Sequence, residues 1–158
     1  MTDETRHTER ECHEKFAKDC FNLTWTYLEK STLTAEEADA MIHAAHASRH
    51  HWQQVGRPVN LARGEWQIAR VYAVLERSEP ALHHARRCLA ICEADALGAF
   101  DLAFAYEALA RATAIAGDGP AARRYIELAK DTAEKITEAD TRKYVFDELK
   151  TIPALPGD

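Results

Sequence analysis

The sequence predicts an all-α domain of about seven helices, and three observations predict it. Turn-forming clusters cut the 158-residue chain at regular places, and the stretches between them repeat apolar side chains at helical spacing. The apolar class reaches 46% and is rich in alanine, while aromatics reach only 8%. A sheet of this size needs β-branched and aromatic side chains in alternation, whereas alanine at spacings of three and four lets helices approach closely. One domain, 1–158, is expected, since such a chain buries about two-thirds of its unfolded surface in one core and is too short for two.

The elements follow in order from their punctuation. A first helix is expected over 8–30, ended by "STLT" at 31–34. Thr34 and Glu37, at capping-box spacing, open the second over 35–55. The turn "GRPVN" at 56–60 leads to a helix over 60–76 with Asn60 as its N-cap. "RSEP" at 77–80 opens 79–95, with Ser78 as N-cap and Pro80 in the first turn, where a missing N–H costs little. "LGAFD" at 97–101 precedes 100–116, and "GDGP" at 117–120 puts Pro120 in the first turn of 120–136. "TEAD" at 137–140 gives Thr137 and Asp140 capping-box spacing before a last helix over 139–150. Gly56, Gly98 and Gly117 stand where helix ends are expected, and no strand is required.

The chain also resembles itself. A shift of 41 residues lays Trp25 on Trp66, Ala40 on Ala81 and Ala122, Ala44 on Ala85 and Ile126, and Ala47 on Cys88 and Ala129. Two antiparallel helices approach closely only where small side chains face each other, so this recurrent stripe reads as three helical hairpins, at about 8–55, 60–95 and 100–136. Such hairpins cannot cover their own apolar sides and must stack, and a stack needs a cap. The helix at 139–150, with Tyr144, Val145 and Leu149 for its buried side, is the expected cap.

These residues resemble the tetratricopeptide repeat family, whose hairpin carries an aromatic, Leu-Gly and Tyr, then Ala and a large apolar residue in the second helix. Tyr106, Leu109, Ala110, Ala122 and Ile126 match those places in the third hairpin, and Ile68, Ala69, Tyr72, Ala81 and Ala85 in the second. Trp66 falls one residue after the family's aromatic place, where Glu65 stands, and the first hairpin keeps Ala40, Ala44 and Ala47. The period of 41 exceeds the family's usual 34 or so, and its repeat-ending proline is absent. The resemblance covers about 20–138 and implies a right-handed stack of helix pairs whose first helices line a concave surface.

On that implication the concave surface carries Asn22, Trp25 and Glu29 from the first hairpin, Arg63, Trp66 and Arg70 from the second, and Phe104, Glu107 and Arg111 from the third. Trp and Arg dominate binding hot spots, and guanidinium gives planar bidentate donors for carboxylate or phosphate. The expected function is therefore a scaffold module holding a protein, a peptide with an anionic end, or a small anionic ligand. The alternative is a solvated face whose charges pair with one another over core tryptophans. Trp25 and Trp66, one repeat apart, either both line the groove or both pack between hairpins.

A second set lies in "MIHAAHASRHHW" at 41–52, where His43, His46 and His50 share one helical face. Neutral imidazoles at that spacing suit Zn²⁺ or another divalent transition metal, with His13 or Cys12 as a fourth ligand, in a metal- or cofactor-binding protein, possibly enzymatic. Against this, His43 is the equivalent of His84 and Tyr125, which reads as half-buried packing between hairpins. There is no C-x-x-C, no H-E-x-x-H and no Walker loop. The stripe His84, Cys88, Cys92 puts Cys88 in a small-residue place, so a buried hydrophobe is expected there. Net charge is −6, against a nucleic-acid surface, and no apolar run spans a bilayer. A cytoplasmic chain with free thiols, no membrane contact and possible homodimerisation is expected.

Overall fold

The computed structural model describes residues 5–155, and among these it contains seven helices and no strand. They are α1 (Glu9–Leu28), α2 (Ala35–Val55), α3 (Pro58–Val74), α4 (Ser78–Ala94), α5 (Ala99–Ile115), α6 (Gly119–Ala133) and α7 (Ala139–Leu149). Each α1–α2, α3–α4 and α5–α6 pair packs as a hairpin, and α7 lies against α5 and α6. The first helices also meet one another, α1 on α3, α3 on α5 and α5 on α7, whereas the backbones of α2, α4 and α6 stay apart. The odd-numbered helices are thus the crowded, inner layer, and the even-numbered ones splay on the outside.

Small side chains set the hairpin spacing. Ala81, Ala85 and Cys88 are buried in α4, as are Ala122 and Ala129 in α6, so the stripe read from the sequence is the contact face of both. In α2 the buried set is Met41, Ala44, Ala45 and Ser48, while Ala40 and Ala47 are half-buried. This helix is rolled by about one position relative to its counterparts. The roll turns His43 outward into solvent, not between hairpins, while His84 and Tyr125 remain half-buried.

Several helix ends differ from expectation. Thr8 caps α1 in a full capping box with Glu11, and Thr34 does the same for α2 with Glu37. At α7 the N-cap is Glu138, not Thr137, because Asp140 is too short to complete a capping box from that register. Ser78 is the first residue of α4 and Asn60 lies inside α3, where its Oδ1 accepts the Arg57 N–H at 3.0 Å. Gly98 is the N-cap of α5 and does not end α4, and that end falls to Ala96 at φ 48°. Glu76 (φ 57°) and Gly117 (φ 81°), 41 residues apart, occupy the same left-handed place after α3 and α5. There Arg77 N–H reaches Tyr72 O at 2.9 Å and Asp118 N–H reaches Thr113 O at 3.0 Å, the six-residue bond of a Schellman turn.

In α7, Val145 and Leu149 are buried as expected, but Tyr144 is 47% exposed. Its ring lies 5.5 Å from Phe104 along the inner layer, and half-buried Phe146 packs on the core in its place.

Candidate functional site

The 41-residue period is written in the contacts of the inner layer. Trp25, Trp66, Glu107 and Glu148 form one column across α1, α3, α5 and α7. The two indoles lie 5.8 Å apart at 34°, and Trp66 Nε1–H donates to Glu107 Oε2 at 2.8 Å. The neighbouring column supplies the cations, since Arg70 and Arg111 are also one period apart. Arg70 Nη1 reaches both Glu107 Oε1 and Glu148 Oε2 at 3.3 Å. Arg111 Nε donates to Glu107 Oε1 at 2.8 Å, and its other nitrogens reach Thr151 O, Thr151 Oγ1 and Glu148 O. Burial pushes the Arg111 guanidinium below its usual value while Glu107 opposes that shift. The network ties the last turn of α7 to the third hairpin, and it absorbs every oxygen of Glu107.

A cavity of about 150 Å³ opens beside this network. Phe21, Trp25, Trp66, Phe100, Phe104 and Tyr144 wall it with rings, Ala62 and Cys88 form its floor, and Arg63 and Asp101 stand as its polar edge. A third column explains the hollow, because Phe21, Ala62, Ala103 and Tyr144 are successive equivalents. Ala62 of this column lines the hollow, where its small side chain leaves room between the Phe21 and Tyr144 rings. Arg63 grips Asp101 through two bonds, at 2.8 and 3.2 Å, and lies 5.6 Å from the Phe100 ring. Asp101 holds the Arg63 guanidinium above its usual range. A shallower hollow lined by Phe100, Asp140, Thr141 and Tyr144 continues the groove along α7.

Of the nine residues placed on the concave surface from the sequence, Trp25, Arg63, Trp66 and Phe104 wall the cavity. Arg70, Glu107 and Arg111 belong to the ion network beside it, and Asn22 and Glu29 are exposed on α1 and at its C-cap. The two tryptophans do both things posed as alternatives: they pack between hairpins and they face the cavity. All three guanidiniums are matched by carboxylates of the chain itself, Asp101, Glu107 and Glu148. Phe21, Phe100, Asp101 and Tyr144 were missed; Phe21 and Tyr144 carried a signal in the 41-residue shift, whereas Phe100 and Asp101 carried none.

The histidines of α2 go separate ways. His46 Nε2 lies 3.0 Å from Tyr72 Oη, His50 packs on His51 at 5.6 Å, and His43 is exposed. His13 Nδ1 meets His51 Nδ1 at 2.8 Å. Among the described residues no group of three His, Cys, Asp or Glu side chains is placed to hold a metal ion. Cys88 is held as a thiol, its pKa raised by the adjoining Cys92 and by burial. None of the seven helices is long and apolar enough to cross a membrane, among the described residues.

No family model matches the chain, and neither a curated protein nor a solved structure matches it.

Proposed function

We propose that the chain is a tetratricopeptide-like repeat module, acting in the cytoplasm, that binds a segment of a partner protein along its concave groove. The segment seats one aromatic or branched apolar side chain in the ring-walled cavity. The observation that carries this is the cavity's chemistry and size: six aromatic walls and about 150 Å³, room for a benzene-sized group. The adjoining hollow past Phe100 and Tyr144 favours an extended segment over a small isolated ligand. An anionic chain end is the weaker occupant, because Arg63, Arg70 and Arg111 already face carboxylates and would have to break those pairs.

Binding is tested by selecting displayed peptides on the full chain and titrating the enriched ones against tryptophan emission, with Trp52→Phe removing the indole outside the cavity. The enriched peptides are expected to share a large apolar residue. Ala62→Leu, which fills the floor, is expected to weaken them at least about tenfold, the loss of one well-buried anchor, with an unchanged circular dichroism spectrum. Peptides that bind Ala62→Leu as well as the parent chain would refute the reading.

A further inference from the structure

The outer face carries a charge cluster that the groove does not use. Glu65 of α3 is 6% exposed; its Oε1 accepts from Arg49 Nε of α2 at 3.0 Å, and its Oε2 pairs with His84 Nδ1 of α4 at 2.7 Å. Tyr72 stacks on His84 at 6.0 Å and 13°, and its hydroxyl meets His46, whose ring lies 5.4 Å from that of His84. Gly64 makes the crossing possible, since a Cβ there would stand 2.8 Å from Arg49 Cδ. Arg87, one turn beyond His84, is exposed, forms no hydrogen bond or ion pair among the described residues, and acts electrostatically on Glu65.

The charges do not balance. Arg49 and Arg87 face one carboxylate, so the cluster has a surplus of one positive charge with both imidazoles neutral and of three with both protonated. His43 and His50 on α2 and His83 on α4 stand exposed on the same two helices. Along the same helices the acidic side chains flanking the cluster are Asp39 on α2 and Glu79 and Glu93 on α4. This lies on a chain whose net charge is −6, so the cluster is local and not part of a general basic surface.

We infer that this face is an oxyanion site of the phosphate class, formed by Arg87, the free Nη2 of Arg49 and the protonated rings of His46 and His84. With Nδ1 committed to Glu65, a proton on His84 Nε2 turns that ring into an outward donor. His46, with Nε2 at the Tyr72 hydroxyl, has Nδ1 left to donate. Guanidinium supplies the bidentate contact that fits an oxyanion. A bound dianion favours the protonated imidazoles, so by linkage affinity rises as pH falls. The anion is either free or carried on a phosphorylated peptide, and the two sources are distinguished by experiment.

The probe is sulfate, whose charge is constant over the range, titrated into the full chain while histidine ring signals are followed by NMR at about pH 5.5 and about pH 8. Saturable shifts at His46 and His84 are expected, with affinity about tenfold higher at the lower pH. Arg87→Gln, a change at an exposed position, is expected to weaken sulfate about tenfold with an unaltered melting temperature. His84→Gln, which keeps a donor to Glu65, is expected to reduce the pH dependence to the part carried by His46, and His46→Gln added to it to remove the remainder. A phosphoserine peptide that binds more tightly than inorganic phosphate assigns the site to a protein-borne group, and equal affinity assigns it to the free anion. Absence of saturation at the lower pH, or titrations that are the same for Arg87→Gln as for the parent chain, would overturn the site.

Discussion

Glu107→Ala removes the carboxylate on which the inner-layer network converges. The carboxylate is fully buried and receives Trp66 at 2.8 Å, Arg111 at 2.8 Å and Arg70 at 3.3 Å. Its removal strands the Arg111 cation, whose side chain is 8% exposed, and leaves the indole N–H without an acceptor. Breaking a buried pair from one side costs about 3–5 kcal/mol. Arg111 retains Thr151 O, Thr151 Oγ1 and Glu148 O, which places the loss at the lower end, about 3 kcal/mol. For a chain of this length each kcal/mol moves the midpoint by about 2–4 °C, so thermal unfolding should shift down by about 6–12 °C. The companion is Glu107→Leu with Arg111→Met, which removes both charges and should recover to within about 1–2 kcal/mol of the parent. Circular dichroism melts of the three proteins decide it. A loss below about 1 kcal/mol for the single variant, or a double variant no better than the single, would refute the account of a buried charge balanced by Glu107.

Other outcomes follow from packing, backbone and protonation. Ala85→Leu, at a fully buried contact between α4 and its neighbours, should cost about 1–3 kcal/mol by overpacking, read as a lower denaturant midpoint at unchanged slope. Gly64→Ala should cost about 1–2 kcal/mol because its Cβ displaces the Arg49 stem and with it the 3.0 Å bond to Glu65. Glu76→Gly should stabilise by up to about 1 kcal/mol, since the left-handed backbone there is strained for any residue with a Cβ; an unchanged or lower melting temperature would contradict this. Burial, and then the neighbouring His84, depress the His46 pKa, so the folded chain binds fewer protons than the unfolded chain in this range. That contribution is complete above the unfolded value of about 6.5 and is lost as pH falls from there through the lower folded value. Melting temperatures measured from about pH 8 to about pH 5 in chloride should therefore fall, and His46→Gln should flatten the slope.

The sequence made the helices legible because alanine spacing and turn chemistry are local signals, and the seven segments lie within a few residues of their expected bounds. Caps were less legible, since Thr137 has capping-box spacing to Asp140 but that carboxylate is too short to close the box, and Glu138 takes the N-cap. The groove was half visible. Trp25, Arg63, Trp66 and Phe104 follow from the resemblance to tetratricopeptide repeats, but the pairing of Arg63 with Asp101 links positions 38 apart that share no column. His43 failed for a related reason: a roll of one position in α2 is invisible to a periodicity that assumes identical hairpins.

The column through Trp25, Trp66, Glu107 and Glu148 is joined differently at every step: indole on indole, indole on carboxylate, then two carboxylates bridged by a guanidinium. Repeated modules with interchangeable faces are open to slippage and to exchange between copies of a chain. Here a hairpin docked one place out of order would set an indole N–H against another indole, or a buried carboxylate against no cation. The junctions therefore act as unlike keys, and the order of the modules is enforced by chemistry as well as by the connecting turns.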